Sequence, residues 1–130
     1  MHPTFLSLTD ILEIHQSEID AAGGDNGIRD IPLLESAIGA VEATFDSHFL
    51  LSLFEMAATY IYSIAFNHPF IDGNKRTALA SGLTFLYING YEVEEEYDVE
   101  LADIVLNILS HKMSKDDLTL FLTTRASAVQ

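Results

Sequence analysis

The sequence predicts an all-α fold, a compact bundle of about six helices. Apolar residues recur at helical spacing in six segments, several opened by capping residues and closed by glycine or proline. Two of these segments, 57–66 and 78–88, are apolar on almost every face, as the central members of a bundle are. No internal repeat, low-complexity segment or linker interrupts the 130 residues, so a single domain over 1–130 is expected.

The first helix is expected over residues 7 to about 21. Leu8, Ile11, Leu12, His15 and Ile19 fall near one face, and Ser7 with Asp10 has the form of a capping box. Gly23-Gly24-Asp25-Asn26-Gly27 then breaks the helix. Arg29 and Asp30 lead into a second helix with Pro32 in its first turn, running to about residue 44, with Leu33, Leu34, Ala37, Ile38 and Val41 inward. Residues 45–49 form a short connection. A third helix over about 50–67 should stop at or before His68, because Pro69 disfavours the α conformation in the residue preceding it. The fourth spans about 74–89, with Gly90 placed for a left-handed residue at its end. The acidic stretch 92–98 reads as a solvated loop or short hairpin. Leu101, Ile104, Val105, Ile108 and Leu109 mark a fifth helix over about 99–110, and Ser114 with Asp117 caps a sixth through about 126. The stretch His68 to Thr77 thus joins the two most buried helices.

Twenty acidic residues against six basic ones give a net charge of −14. That balance cannot neutralise phosphate backbones and is repelled by anionic membranes, so neither direct nucleic-acid binding nor membrane association is expected. No uncharged apolar run reaches the roughly 18 residues of a membrane span, and the N-terminus lacks the regions of a signal peptide. With no cysteine, disulfides and thiolate zinc sites are excluded and cytoplasm is the expected compartment. Lys75 and Arg76, two of the six cations, are adjacent inside the joining stretch, which suggests a local anion site on a repulsive surface.

The chemistry of that stretch follows from its residue types. His68, held past a helix end by Pro69, is a candidate general base. Phe70 should point into the core and pin the loop. Asp72 supplies a hard oxygen suited to magnesium, which takes one or two carboxylates plus substrate phosphates. Gly73 permits a tight turn and close approach to a ligand. From Asn74 onward, free N–H groups at a helix start would face that ligand, with Lys75 and Arg76 adding a point charge and a planar fork for phosphate oxygens. A base, a metal ligand and an anion cradle are the parts needed to transfer a group from a nucleotide to a hydroxyl. Singly, each residue also has a plain structural reading: Asp72 as an N-cap, His68-Pro69 as a helix stop, the cations as solvated charges.

The pattern resembles the Fic/Doc family, and more closely its Doc branch, the death-on-curing toxins of type II toxin–antitoxin modules. The Fic signature is His-Pro-Phe, any residue, Asp or Glu, Gly-Asn-Gly-Arg, two residues, then Arg. Here it is followed through His68, Pro69, Phe70, Asp72, Gly73, Asn74 and Arg76. Lys75 replaces the second glycine and Leu79 the second arginine, both matching the Doc pattern Asn-Lys-Arg-Thr-Ala-Leu seen at 74–79. Leu53-Phe54-Glu55, Ala58-Thr59-Tyr60, Phe85-Leu86, Asn89-Gly90, His15 and the Gly23-to-Asp30 loop extend the likeness over essentially the whole chain.

The resemblance implies the Fic/Doc helical fold with the motif loop between its two central helices. It implies a kinase-type transfer of the γ-phosphate of ATP to a hydroxyl of elongation factor Tu, halting translation, with Mg2+ as cofactor. His68 would be the base, Asp72 the Mg2+ ligand, and Gly73, Asn74, Lys75 and Arg76 would hold the phosphates. Fic members typically transfer AMP instead, which Lys75 and Leu79 disfavour by filling part of the cradle and removing a phosphate clamp. A Fic-fold regulatory protein without activity is a third reading. No glutamate is followed by glycine or asparagine, as the self-inhibiting motif of Fic proteins would require, so restraint is expected from a separate Phd-like antitoxin laid into a groove near the site.

Other polar residues read as structural. His15 is expected to be a hydrogen-bonded core histidine, His48 and His111 to be surface residues, and Arg29 with Asp30 to be a loop ion pair. Tyr60 and Tyr62 read as core residues with a polar tip.

Overall fold

The computed structural model of the chain describes residues 2–130. Six α-helices form among them: α1 Leu8–Ala22, α2 Ile31–Glu42, α3 Leu53–Asn67, α4 Asn74–Ile88, α5 Asp98–Leu109 and α6 Lys115–Arg125. Reciprocal capping boxes open three of them, at Ser7 with Asp10, Ser52 with Glu55 and Ser114 with Asp117. Each satisfies two of the N–H groups that a helix start leaves without partners. Asp30 caps α2 by accepting the Leu33 N–H at 3.0 Å. Asp30 therefore serves the helix and makes no ion pair with Arg29, contrary to the loop-pair expectation.

Two boundaries differ from the apolar pattern, and short strands explain one of them. α2 stops at Glu42 because Thr44–Phe45 (β1) folds back on His48–Phe49 (β2), through a turn in which Asp46 and Ser47 both have positive φ. α3 starts at Leu53 rather than near residue 50 because Ser52 and Glu55 exchange hydrogen bonds there, at 3.3 and 3.0 Å. The acidic stretch after α4 is only partly a loop. Tyr91–Glu92 (β3) pairs antiparallel with Ser127–Ala128 (β4), and Glu95–Tyr97 forms one 3-10 turn before α5.

α3 lies at the centre, packed against α2, α4, α5 and α6. Met56, Ala57, Ala58, Tyr60, Ile61 and Ile64 are all fully buried. The Tyr60 hydroxyl accepts the Leu6 N–H at 3.1 Å, and burial pushes its pKa up to about 12. α3 and α4 form the most extensive helix pair, and they approach closely at Gly82. A β-carbon there would clash with Ile61 Cγ1, lie 2.6 Å from Ile61 Cδ1 and 3.1 Å from the Ala57 carbonyl oxygen. This contact fixes where the two helices that carry the joining loop stand relative to one another. No helix among the described residues is long and apolar enough to cross a membrane.

Candidate active site

The loop between α3 and α4 is built by two neighbours, α1 and the glycine-rich segment after it. α3 ends as its last turn closes on the His68 N–H, which donates to the Ile64 carbonyl at 3.3 Å. Pro69 moves His68 out of the right-handed α region as expected, but into the left-handed one, at φ 50 and ψ 58, rather than into extended backbone. For a residue with a β-carbon that conformation costs about 1 kcal/mol or more. The surroundings impose it: the buried Pro69 carbonyl accepts the N–H groups of Arg29 and Asp30 at 2.7 and 3.0 Å, and the Ile71 N–H donates to Gly27 at 3.0 Å. Ile28 faces Phe70 in an antiparallel bridge. The His68 side chain itself is exposed and makes no hydrogen bond among the described residues.

Phe70 is fully buried, as expected, and stacks on His15 with ring centroids 3.8 Å apart and planes 5° from parallel. His15 is 2% exposed, and its Nε2 lies 2.8 Å from the Asp72 carbonyl oxygen. A carbonyl can only accept, so Nε2 carries the proton. His15 is thus the hydrogen-bonded core histidine anticipated, and its partner is the acid of the motif.

Asp72 does not cap α4. Its Oδ2 accepts the Asp25 N–H at 2.8 Å, while Oδ1 has no partner among the described residues. The N-cap is Gly73, left-handed at φ 77, with no side chain to offer. A β-carbon there would stand 3.2 Å from Ile19 Cδ1, so both conformation and space call for glycine. The N–H groups from Asp72 to Arg76 consequently meet no acceptor among the described residues, and the positive end of the α4 dipole lies behind them.

The three polar residues that open α4 are placed differently from one another. Asn74, 8% exposed, turns inward: its Oδ1 accepts the Phe70 N–H and its Nδ2 donates to the Phe70 carbonyl, both at 2.9 Å. Its side chain ties the loop, leaving its backbone N–H for a ligand. Arg76 donates from Nη1 to the Glu18 carbonyl and from Nη2 to the Gly23 carbonyl, each at 3.1 Å, joining the start of α4 to the end of α1. Those two bonds leave three of the five guanidinium donors. Lys75 is half-buried with no ion-pair partner. Among the described residues of this strongly acidic chain, neither Lys75 nor Arg76 has a carboxylate within 4.0 Å.

A magnesium ion fits this donor set only in company with a substrate. No group of three or more His, Asp or Glu that could hold a metal occurs among the described residues. Asp72, with one oxygen fixed and one free, offers a single hard oxygen, so phosphates and water would have to complete the coordination of such an ion. Leu79, at the place of the second arginine in the Fic pattern, lines a groove of about 300 Å3 with Glu18, Arg76, Leu83, Asp98 and Leu101.

Sequence reasoning placed the loop correctly but missed Asp25 and the carbonyls of Glu18 and Gly23. The glycine-rich segment reads in sequence as a plain breaker, and nothing local signals that its amides and carbonyls face the motif.

The chain's similarities cover this same region. A model of the Fic/DOC family matches residues 5–86. Toxin Doc of Mycolicibacterium smegmatis is 36% identical over 112 residues, spanning 85% of this chain and 86% of that protein. Protein kinase doc of Escherichia phage P1 is 37% identical over 109 residues, spanning 84% of this chain and 85% of that one.

Proposed function

The chain belongs to the Fic/DOC family, and on that premise we propose that it is a Doc-type toxin acting as a phosphotransferase. It moves the γ-phosphate of ATP to a hydroxyl of a translation factor, elongation factor Tu, and so arrests translation. One observation carries this reading. Among the described residues, an exposed imidazole at His68 without a partner shares a loop with the free N–H groups of a helix start and an unpaired Lys75.

In this reading His68 takes the proton of the target hydroxyl as its oxygen bonds to the γ-phosphorus. The bond from that phosphorus to the β–γ bridging oxygen breaks, and ADP leaves. The N–H groups of Gly73, Asn74 and Lys75 cradle the phosphate oxygens, with the Lys75 ammonium beside them and the spare Arg76 donors at the edge. Asp72 would hold Mg2+ through its free oxygen, and the ion would neutralise phosphate charge. The chain's own contribution is to hold the reacting groups in line and to supply fixed positive charge. Lys75 and Leu79 favour γ-phosphate over AMP transfer: the first fills part of the cradle, and the second contributes no cation where Fic enzymes clamp a phosphate.

The name Toxin Doc of one relative also supports a toxin–antitoxin setting, in which the partner we propose is a Phd-like antitoxin that restrains the toxin near this site. The test is to incubate the purified chain with elongation factor Tu, Mg2+ and ATP and to weigh the target. A gain of one phosphate supports the proposal, a gain of AMP replaces it with the AMP-transferase reading, and no change removes this target. Expression of the wild type should arrest growth, whereas His68→Ala and Asp72→Ala should not. Equal toxicity of all three would sink the assignment of these residues.

A further inference from the structure

We propose that His15 is a positioning residue for the Asp72 carboxylate, acting through its hydrogen bond to the Asp72 carbonyl. The inference rests on the reading of Asp72 as the acid of the phosphate site, and adds a residue that lies outside the motif. Asp72 is an exposed loop residue, yet it is held at two points. Its carbonyl is pinned by His15 Nε2–H at 2.8 Å and its Oδ2 by the Asp25 N–H at 2.8 Å. Both anchors come from one unit, α1 and the turn that follows it. The His15 ring cannot swing away, because it is 2% exposed and lies flat against the fully buried Phe70.

The next residue makes this anchor necessary. Gly73 has no side chain to be gripped and sits at φ 77, so nothing on the glycine side ties the peptide between Asp72 and Gly73. With the His15 bond removed, that peptide can rotate and carry the carboxylate off the Asp25 N–H. The same bond holds the Asp72 carbonyl away from the Arg76 N–H, which would reach it if α4 began one residue earlier. His15 therefore keeps one carboxylate oxygen free in a fixed direction and one more N–H open beside it.

Two substitutions separate the hydrogen bond from the packing. His15→Phe keeps an aromatic ring against Phe70 and loses the donor, whereas His15→Gln keeps a donor near the Nε2 position and loses the ring. The Asp25 amide, observed by NMR in 15N-labelled protein without metal or nucleotide, reports the carboxylate directly. In His15→Phe that amide should lose its downfield shift and exchange with solvent about 10-fold faster or more, and in His15→Gln it should resemble wild type. In transfer assays, His15→Phe should raise the Mg2+ concentration needed for half-maximal rate about 10-fold or more, with the KM for ATP far less changed.

A residue needed only for stability would lower the melting temperature and leave the Asp25 amide of the folded protein as it is. That result in His15→Phe overturns the proposal, as does a His15→Gln protein perturbed as much as His15→Phe. Should His15→Phe fail to fold, His15→Gln decides alone by whether its Asp25 amide matches wild type. The amide readout needs no activity: a wild type that transfers no phosphate counts against the proposed function, while the Asp25 result still judges His15.

Discussion

Replacing Asn74 by alanine tests whether this motif residue serves the loop or the ligand. The structure assigns its side chain to the loop, through two 2.9 Å hydrogen bonds with the backbone of Phe70. Alanine would leave the N–H and carbonyl of a fully buried residue without partners. Each such group costs about 1–3 kcal/mol. Some of that is recovered where the loop relaxes towards water, so a loss of roughly 2–4 kcal/mol is expected for the pair. In a chain of this size that lowers the thermal midpoint by roughly 10 °C. Thermal and urea unfolding followed by circular dichroism give the stability, and calorimetry well below the midpoint gives ATP binding by the folded fraction. The expected result is a marked loss of stability with ATP binding largely kept, since the backbone N–H of residue 74 is unaffected. Wild-type stability combined with lost ATP binding would refute the reasoning, because the side chain would then face the nucleotide.

The glycines of two helices make a matched pair. Gly82→Ala should destabilise by about 1–2 kcal/mol, the cost of overpacking against Ile61 and the Ala57 carbonyl outweighing the gain in helix propensity. Gly39→Ala in α2, where a β-carbon meets nothing within 4 Å, should stabilise by about 0.5–1 kcal/mol. Urea midpoints moving in the same direction for both would contradict the close approach of α3 and α4. Tyr60 predicts a pH dependence. Its pKa lies near 10 in the unfolded chain and about 12 when folded, so the unfolded state ionises first. Stability should therefore be intact below pH 10 and fall between about pH 10 and 12. Tyr60→Phe, though less stable at neutral pH for want of the Leu6 bond, should lose that alkaline slope in a pH series of urea midpoints.

The helices were legible because each carries its own evidence. The Ser7–Asp10 and Ser114–Asp117 boxes and the apolar faces are local, and local patterns survive without tertiary information. The Ser52–Glu55 box is equally local but was masked by Leu50 and Leu51, which prolong the apolar run beyond the helix. The β1–β2 hairpin left no periodic trace, since two-residue strands are too short for alternation and its turn uses Asp46 and Ser47 instead of glycine. The β3–β4 pair joins Tyr91–Glu92 to Ser127–Ala128 at the other end of the chain, which no window could reveal. The site divides in the same way. His68, Asp72 and Lys75 could be picked out by residue type, and His15 by its place on an apolar face. That Asp25 would grip Asp72 and that Arg76 would reach the end of α1 depend on the packing of α1 against α4, while Asn74 turns inward onto the backbone of Phe70, four residues earlier, where its residue type suggested a ligand group.

The left-handed backbone of His68 has a meaning for the balance between folding and activity. A chain selected for stability alone would put glycine at that position, where φ 50 favours a residue without a β-carbon and the imidazole makes no hydrogen bond among the described residues. The protein instead tolerates a mildly strained residue whose side chain points to solvent. On the proposed reading of His68 as the base, the gain from the imidazole lies in transfer and not in folding, and the remainder of the bundle absorbs the cost.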